Sequence, residues 1–306
     1  MARQPKLYDV CINIPPGTTK STITTIMFPA WLWTQDPSIR IITNSYSADL
    51  SIEHAVKSRD IILSDKYKKL FPEVELRHDK AAKGSYENTR KGARYTTSTG
   101  GTITGKHAHV IINDDPLNPK QAVSKVQREE ANEHTKTLSS RKVNKENTPV
   151  ITIMQRLHIN DVTGYLLEKK KKTTKHICLP ARRSTNVKPD FLVHMYKGGL
   201  LDPSRLSEKV LEEALNDLGS RDFAGQYEQQ PTELGGNIFK RDWFPRVSRA
   251  EFERMRGTNP IHYFADTAYT EKTENDPTGI IATCQVGNKM FIAHAEKVRM
   301  KFPDLC

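Results

Sequence analysis

The first half of the chain alternates short apolar runs with longer stretches in which apolar residues recur every three or four positions. Short runs that are apolar on both sides are typical of buried parallel strands, whereas the longer periodic stretches predict amphipathic helices. The predicted strands are Val10–Ile14, Ile39–Thr43, Val110–Ile112 and Val150–Met154, and the predicted helices are Ser21–Trp33, Ala48–Leu63 and Ser124–Ser140. This order predicts a mainly parallel sheet with helices on both faces.

The pattern is less regular elsewhere. Residues Lys91–Thr102 predict two short strands around a glycine turn. Residues 180–260 contain proline, glycine and fragments of helical pattern, which indicates a lid or linker. New strands are predicted at Ile261–Ala265 and Thr278–Thr283, as at the beginning of another α/β domain, and too few residues follow to complete one.

Charge and composition narrow the classes of function. Lysine and arginine outnumber aspartate and glutamate by 47 to 36, which gives a formal net charge of +11. This excess favours a polyanionic partner, because each phosphate contact releases condensed counterions; a merely solubilising surface is the alternative. There is no signal-peptide pattern and no apolar run near the ~20 residues of a membrane span, so we expect no membrane contact and a cytoplasmic location. Four scattered cysteines argue against a zinc ribbon or a disulfide framework.

A segment rich in hydroxyl groups joins the first predicted strand to the first predicted helix. A phosphate-binding loop belongs at such a junction, because helix N-terminal amides and the helix dipole favour anions. Lys20 would reach the β- and γ-phosphates of a nucleotide, and the Ser21 hydroxyl would bind Mg²⁺. The literal glycine pattern fails, since Ile14 and Thr19 stand at the two glycine positions. A capped helix start with an exposed lysine is the alternative.

Two adjacent acids follow the buried strand at Val110–Ile112. At the end of a strand, one acid can hold Mg²⁺ and the next can orient or deprotonate a water molecule. We assign the metal to Asp114 and the water to Asp115. Solvated acids at a strand end are the alternative, but the carboxyl ends of parallel strands are where ligands bind, and the loop at Lys20 ends at the same edge.

Two polar residues follow the next buried strand, Val150–Met154. A polar residue at this position can sense the γ-phosphate and transmit its loss to neighbouring elements. Gln155 and Arg156 are the candidates for this coupling role. Arg156 could equally cap a helix or pair with Asp161.

Several blocks of the sequence occur in an order that is typical of one protein family. They are Pro15–Thr22, Thr104–Ala108, Asn113–Pro116, Gln155–Gly164 and Phe223–Pro231, followed by Gly235–Gly236 and Phe239–Phe244. Each block is modest by itself. In this order, and over most of the chain, they resemble the large terminases of tailed phages.

The resemblance implies a fold and a division of the chain. Residues 1–180 would form a RecA-like P-loop ATPase of the additional-strand kind, residues 181–258 a lid and linker, and residues 259–306 the start of a ribonuclease-H-like α/β nuclease domain. ATP and Mg²⁺ would be the cofactors. The nucleotide-binding residues would be Gly17, Thr18, Thr19, Lys20, Ser21 and Thr22, with Asp114 and Asp115 as the Walker B pair and Gln155 and Arg156 in the coupling region. Many family members have glycine where Thr19 stands, and this substitution removes a permissive backbone position.

The implied activity is ATP hydrolysis that drives double-stranded viral DNA into the prohead. Lys20, Asp115 and Arg156 would be its catalytic residues. An arginine finger from this subunit or a neighbour would complete the site, with Arg59 and Arg141 as candidates. The implied partners are viral DNA, the portal protein of the prohead, the small terminase subunit and further copies of the chain in a ring. The implied location is the host cytoplasm rather than the mature virion.

The implied nuclease uses acids around two metal ions, Mg²⁺ or Mn²⁺. Asp266 matches the first of these acids, whereas Asp276 is either a helper or an ordinary loop acid. The family's later acids would lie beyond Cys306, and the segment that usually contacts adenine would precede the first strand. We therefore expect a chain shortened at both ends that is not a competent nuclease by itself.

Two other functions stay open. One is a different DNA-stimulated P-loop ATPase, such as a helicase, although a helicase would continue into a second RecA-like domain with an arginine motif. The other is a catalytically impaired fragment that binds DNA without turning over ATP, which the altered loop at Thr19 would favour.

Overall fold

The computed structural model describes residues 8–232, 244–266 and 278–298. The chain divides into two compact units, residues 1–238 and 239–306. Gly235–Gly236, the first five residues of the Phe239–Phe244 block and Asp276 lie outside the described residues.

An eight-stranded sheet forms the centre of the first unit. Its strands are β1 (Asp9–Asn13), β2 (Arg40–Ser45), β3 (Leu76–Ala82), β4 (Ser85–Asn88), β5 (Ala93–Ser98), β6 (Val110–Asp114), β7 (Val150–Met154) and β8 (Thr174–Cys178). Their order is β3-β4-β5-β2-β6-β7-β1-β8, and the pairs from β5 to β8 are all parallel. The strand β7 is inserted between β1 and β6. The mainly parallel, RecA-like sheet with an additional strand is therefore confirmed.

The edge at β3 and β4 is antiparallel, and it corrects one prediction. Lys91–Thr102 contains one strand, β5, rather than two around a glycine turn. The antiparallel partner of β5 is the upstream strand β4, because the chain reverses between Asn88 and Gly92. The Asn88 carboxamide closes this turn by accepting a hydrogen bond from the Gly92 amide at 2.9 Å. A Cβ at Gly92 would lie 2.0 Å from the Pro37 carbonyl oxygen, so only glycine fits there.

Helices cover both faces of this sheet, as predicted. They are a π-helical turn (Thr22–Met27) continuing into α1 (Phe28–Gln35), then α2 (Ala48–Leu63), α3 (Asp65–Leu70), α4 (Pro119–Val123), α5 (Lys125–Ser140) and α6 (Val162–Lys169). On one face α1 and α2 bury a cluster around Trp33 and Ile41. On the other face, Leu138 of α5 packs in a cluster with Ile111 of β6. Side-chain caps begin the longer helices; Ser47, for example, accepts from the Leu50 amide.

Residues 181–232 are more regular than predicted. They contain a short 3₁₀ segment and the helix α7 (Glu208–Gln226), which is interrupted at Gly219 with φ 75° and ψ 165°. The Ala181 amide donates to the Tyr227 carbonyl at 2.7 Å. An apolar cluster that includes Leu211 and Phe223 packs this region together. It is thus a folded part of the first unit.

The second unit contains the helix α8 (Arg249–Arg256) and the strands β9 (His262–Asp266), β10 (Thr278–Val286) and β11 (Lys289–Val298). These strands form an antiparallel sheet in the order β11-β10-β9, so the strands predicted near 261 and 278 are confirmed. Phe252 of α8 packs on Phe291 with ring centroids 5.6 Å apart. The assignment of residues 259–306 to the start of a ribonuclease-H-like nuclease domain stays a prediction. None of the helices in the described ranges of the chain is long and apolar enough to cross a membrane.

Candidate functional site

The loop between β1 and the first helix has the geometry of an anion-binding turn. Gly17 and Thr19 both have positive φ, 76° and 58° respectively. The Thr18 hydroxyl donates to the Pro15 carbonyl at 2.7 Å and closes the turn. The helical segment that follows extends to Gln35. The first amides of a helix have no carbonyl partner within that helix. Amides at such a helix start favour a phosphate group.

The residues predicted at this site lie together at the carboxyl edge of the sheet. The Lys20 ammonium forms an ion pair with the Asp115 carboxylate. The Ser21 hydroxyl donates to Oδ1 of Asp114 at 3.0 Å. Residues 20 and 21 follow β1, while Asp114 ends β6 and Asp115 directly follows it. The additional strand β7 therefore lies between the two halves of the site.

Asp114 is fully buried and has several polar neighbours. Its Oδ2 accepts a hydrogen bond from the Thr25 hydroxyl at 2.7 Å and lies 3.5 Å from Nδ1 of His54. Burial raises the pKa of the Asp114 carboxyl, while the hydrogen bonds from Thr25 and Ser21 and the charge of Lys20 oppose this rise. Burial also lowers the pKa of His54 to about 4, so this imidazole is neutral at neutral pH.

Asp115 stands in a rare backbone conformation with φ 43°. Hydrogen bonds hold it there, because its amide donates to the Ile153 carbonyl at 2.8 Å and its carbonyl accepts from the Tyr46 amide at 2.9 Å. Burial raises the pKa of its carboxyl, against the opposing charge of Lys20 and a hydrogen bond from the Gln155 amide. A carboxylate with a raised pKa is better able to accept a proton near neutral pH.

Gln155 and Arg156 lie directly after β7, beside Asp115. The Oε1 atom of Gln155 is buried and has no hydrogen-bond partner within the described parts of the chain. The Arg156 guanidinium instead forms an ion pair with the buried carboxylate of Asp161 at 3.0 Å. Of the two alternatives left open for Arg156, pairing with Asp161 is the one observed. A direct catalytic contact by Arg156 would require this pair to break.

The main chain of Arg156 is hydrogen-bonded to the segment that follows α7. Its amide donates to Oε1 of Gln229 at 3.0 Å, and Gln229 donates to the Gln226 carbonyl at 2.6 Å. Gln226 ends α7. The edge of the sheet next to Asp115 is therefore hydrogen-bonded to the segment after α7.

The donor set at Asp114 suits Mg²⁺. This cation prefers hard oxygen ligands and usually takes only one or two carboxylates, with water and phosphate oxygens completing its shell. The Ser21 hydroxyl and the Asp114 carboxylate supply two such oxygens next to the phosphate loop. No cluster of three or more His, Cys, Asp or Glu side chains able to hold a metal occurs among the described residues.

Three other predicted residues lie elsewhere. Arg141 directly follows α5, and its carbonyl accepts from the Ala108 amide at 2.9 Å. Ala108 is six residues before Asp114 along an extended segment, roughly 20 Å away, so Arg141 does not lie beside Asp114. Arg59 lies within α2, which starts after β2. Asp266 ends β9 in the second unit, is exposed, and pairs in register with Gly279 of β10.

Sequence reasoning missed three side chains near Asp114, namely Thr25, His54 and Arg94. Thr25 is four residues after Ser21 on the same helical segment, so its spacing was a usable signal. Arg94 lies on β5 with 1% of its surface exposed, and Nη2 donates to the Thr25 carbonyl at 2.9 Å. Nothing in the sequence around Arg94 or His54 indicates that β5 and α2 bring them to this site.

No protein-family model and no curated protein sequence matches the chain. Solved structures that are similar to it include the large terminase of bacteriophage HK97, with 12% identity, a TM-score of 0.48, and coverage of 93% of this chain and 59% of that chain. The large terminase of a thermophilic bacteriophage, in complex with ATP-gamma-S, has 10% identity, a TM-score of 0.44, and coverage of 96% and 63%. The complex of the same terminase with ADP has 11% identity, a TM-score of 0.42, and coverage of 95% and 63%. The chain thus spans less than two thirds of the length of these structures.

Proposed function

We propose that this chain carries the ATP-hydrolysing motor of a tailed-phage large terminase, which drives double-stranded DNA into a prohead. One observation carries the proposal. Lys20 and Ser21, at the start of the helix after β1, pair with Asp115 and Asp114 at the end of β6, across an inserted strand. The terminase-like sequence blocks narrow this ATPase site to a packaging motor.

In the proposed mechanism, the phosphates of ATP contact the amides of the loop from Gly17 to Ser21. The Lys20 ammonium then exchanges its ion pair with Asp115 for the β- and γ-phosphates and neutralises their charge. Asp115, released from Lys20, orients the attacking water and accepts its proton. Ser21 and Asp114 would hold the magnesium ion, which supplies charge stabilisation at the phosphate oxygens when bound.

Coupling is proposed to begin at Gln155. This residue is beside Asp115 and would respond to the loss of the γ-phosphate. The adjoining amide of Arg156 is hydrogen-bonded to Gln229, so a shift at the end of β7 would reach the segment after α7. Arg156 itself would support this connection through its pair with Asp161 rather than by contact with the phosphates.

The partners of the motor are proposals as well. The net charge of +11 suits double-stranded DNA. The portal protein, the small terminase subunit and further copies of the chain in a ring follow from the terminase resemblance, as does a location in the host cytoplasm. Asp266 would be the first metal ligand of the nuclease.

The proposal is tested by ATP turnover of the purified chain with Mg²⁺ and double-stranded DNA. Wild type and Lys66→Ala, which removes an exposed lysine of α3, should hydrolyse ATP and be stimulated by DNA. Lys20→Ala should lose at least about 100-fold, the loss expected when a group that stabilises charge in the transition state is removed. Equal background rates in all three proteins would refute the motor.

A second candidate function is a DNA-binding fragment that no longer turns over ATP. The observation that favours it is the positive φ of Thr19, a β-branched residue in a conformation that suits glycine. The same assay separates the two functions, because the fragment would bind DNA while its ATPase rate would not depend on Lys20.

A further inference from the structure

In the proposed site, two hydroxyl groups of the first helical segment donate hydrogen bonds to the metal-binding carboxylate of Asp114. Ser21 and Thr25 are four residues apart, and their hydroxyls donate to different oxygens of Asp114, at 3.0 Å and 2.7 Å. The two donors together fix the rotation of the carboxylate as well as its position. Ser21 belongs to the phosphate loop, whereas Thr25 lies beyond it, inside the π-helical turn.

Thr25 donates its hydrogen bond to Asp114 from within the π-helical turn. Such turns are rare and occur often at functional sites. The Phe28 amide bonds back to the Ile23 carbonyl, five residues earlier, and the Thr24 hydroxyl donates to the Lys20 carbonyl at 2.8 Å. These bonds replace the ordinary helical pattern over the segment that contains Thr25.

Arg94 of β5 forms a hydrogen bond with the main chain of Thr25. Its Nη2 donates to the Thr25 carbonyl at 2.9 Å and lies 3.4 Å from the Thr43 hydroxyl. A buried guanidinium needs hydrogen-bond acceptors and negative charge nearby, because desolvating it is costly. Thr25 is therefore fixed by its carbonyl to β5 and by its hydroxyl to Asp114.

We propose that Thr25 is a positioning residue, which holds the Asp114 carboxylate in the orientation that ligates the magnesium ion of Mg-ATP, with Arg94 holding Thr25 in place. The inference rests on the proposed ATPase function. Groups that hydrogen-bond to a ligating carboxylate orient it, and their loss typically weakens metal affinity or activity about 10- to 100-fold. The Thr25 hydroxyl donates to Asp114 and lies 3.3 Å from the Thr24 hydroxyl, so we expect its loss to act mainly on the metal site.

The test is a Mg²⁺ titration of ATP hydrolysis at fixed ATP, together with binding of a fluorescent ATP analogue in EDTA. Thr25→Val removes the hydroxyl at nearly constant volume and should raise the half-saturating Mg²⁺ concentration about 10-fold or more. Metal-free nucleotide affinity should stay within about twofold. Thr25→Ser, which keeps a donor, should restore most of the wild-type Mg²⁺ dependence. Thr137→Val, at an exposed threonine of α5, is the matched control and should resemble wild type.

The outcomes separate this inference from the proposed function. A wild-type chain without Mg-dependent hydrolysis refutes the ATPase. A wild-type chain that hydrolyses ATP, with a Thr25→Val variant of unchanged Mg²⁺ dependence, refutes the role of Thr25 alone. A variant whose activity falls equally at every Mg²⁺ concentration also refutes it, because a merely structural role would act in this way. If Thr25→Val does not fold, Thr25→Ala removes the same donor without adding volume and is read in the same way.

Discussion

Thr19 offers a test of how the phosphate loop stores strain. Its φ of 58° lies in the left-handed region, where a residue with a branched Cβ is a steric outlier. Its exposed hydroxyl donates only to the neighbouring Thr18 carbonyl, at 2.6 Å. Replacing Thr19 by glycine therefore removes strain and little else.

The magnitude follows from two opposing effects. A residue other than glycine in this region costs roughly 1–3 kcal/mol. Glycine has more conformational entropy than threonine in the unfolded chain, and this lowers the stability of the folded state by about 0.5–1 kcal/mol. Thr19→Gly should therefore raise the free energy of unfolding by about 0–2.5 kcal/mol. Thr19→Ala keeps a Cβ and loses only the branch, so it should gain less.

Urea unfolding of the three proteins at equal ionic strength measures this difference. A Thr19→Gly variant that is less stable than wild type, or no more stable than Thr19→Ala, would refute the reasoning. Because glycine can adopt the same loop conformation with less strain, ATP affinity should stay within about threefold, a difference below about 1 kcal/mol. A much larger gain in affinity for Thr19→Gly would show that nucleotide binding itself demands a conformation that threonine resists.

Three further substitutions probe the polar interior, each by urea unfolding. Asp161→Ala removes the carboxylate that pairs with Arg156 and caps α6. The free energy of unfolding should fall by about 3–5 kcal/mol, because the Arg156 charge is left without its partner. A loss below about 1 kcal/mol would contradict the contact. Asn44→Ala removes the group bonded to Asn113 at 2.8 Å and should cost about 1–3 kcal/mol, whereas an unchanged midpoint would contradict this. Burial lowers the pKa of His176 to about 4. As pH falls from 6.5 towards 4, the unfolded chain therefore binds a proton at His176 before the folded chain does, and the folded state loses stability. His176→Gln should remove roughly 1–2 kcal/mol of this acid destabilisation, after allowance for the partial exposure of the imidazole. Identical pH profiles of unfolding free energy for the two proteins would contradict this.

The central strands of the fold were predictable because they are buried on both faces. The run Val110–Ile112 is continuously apolar, and Val150–Met154 is interrupted only by Thr152, a pattern typical of strands in a covered parallel sheet. The edge strands were not predicted. β3 and β8 carry charged and polar residues that tolerate water, so their patterns do not differ from those of loops. The helix α7 was predicted only as fragments, because its helical pattern is interrupted at Gly219.

At the candidate site, the predictable residues are those at the ends of strands. Lys20 and Asp115 belong to segments whose local order, strand then loop or strand then acid, already indicates phosphate chemistry. Arg94 could not be found in this way, since its role depends on the direction in which β5 packs beside β2. The partner of Arg156 could only be narrowed to two alternatives, because a nearby acid and a distant phosphate are equally plausible from sequence.

The central claim is that Asp115 activates water for attack on ATP. Its most direct test is single-turnover hydrolysis of ATP by Asp115→Asn, with Asp217→Asn on the exposed side of α7 as the matched control. Loss of a general base typically costs about 100- to 10,000-fold. We predict a loss in this range for Asp115→Asn, with ATP binding retained and the control equal to wild type. Hydrolysis at the wild-type rate by Asp115→Asn would contradict the account.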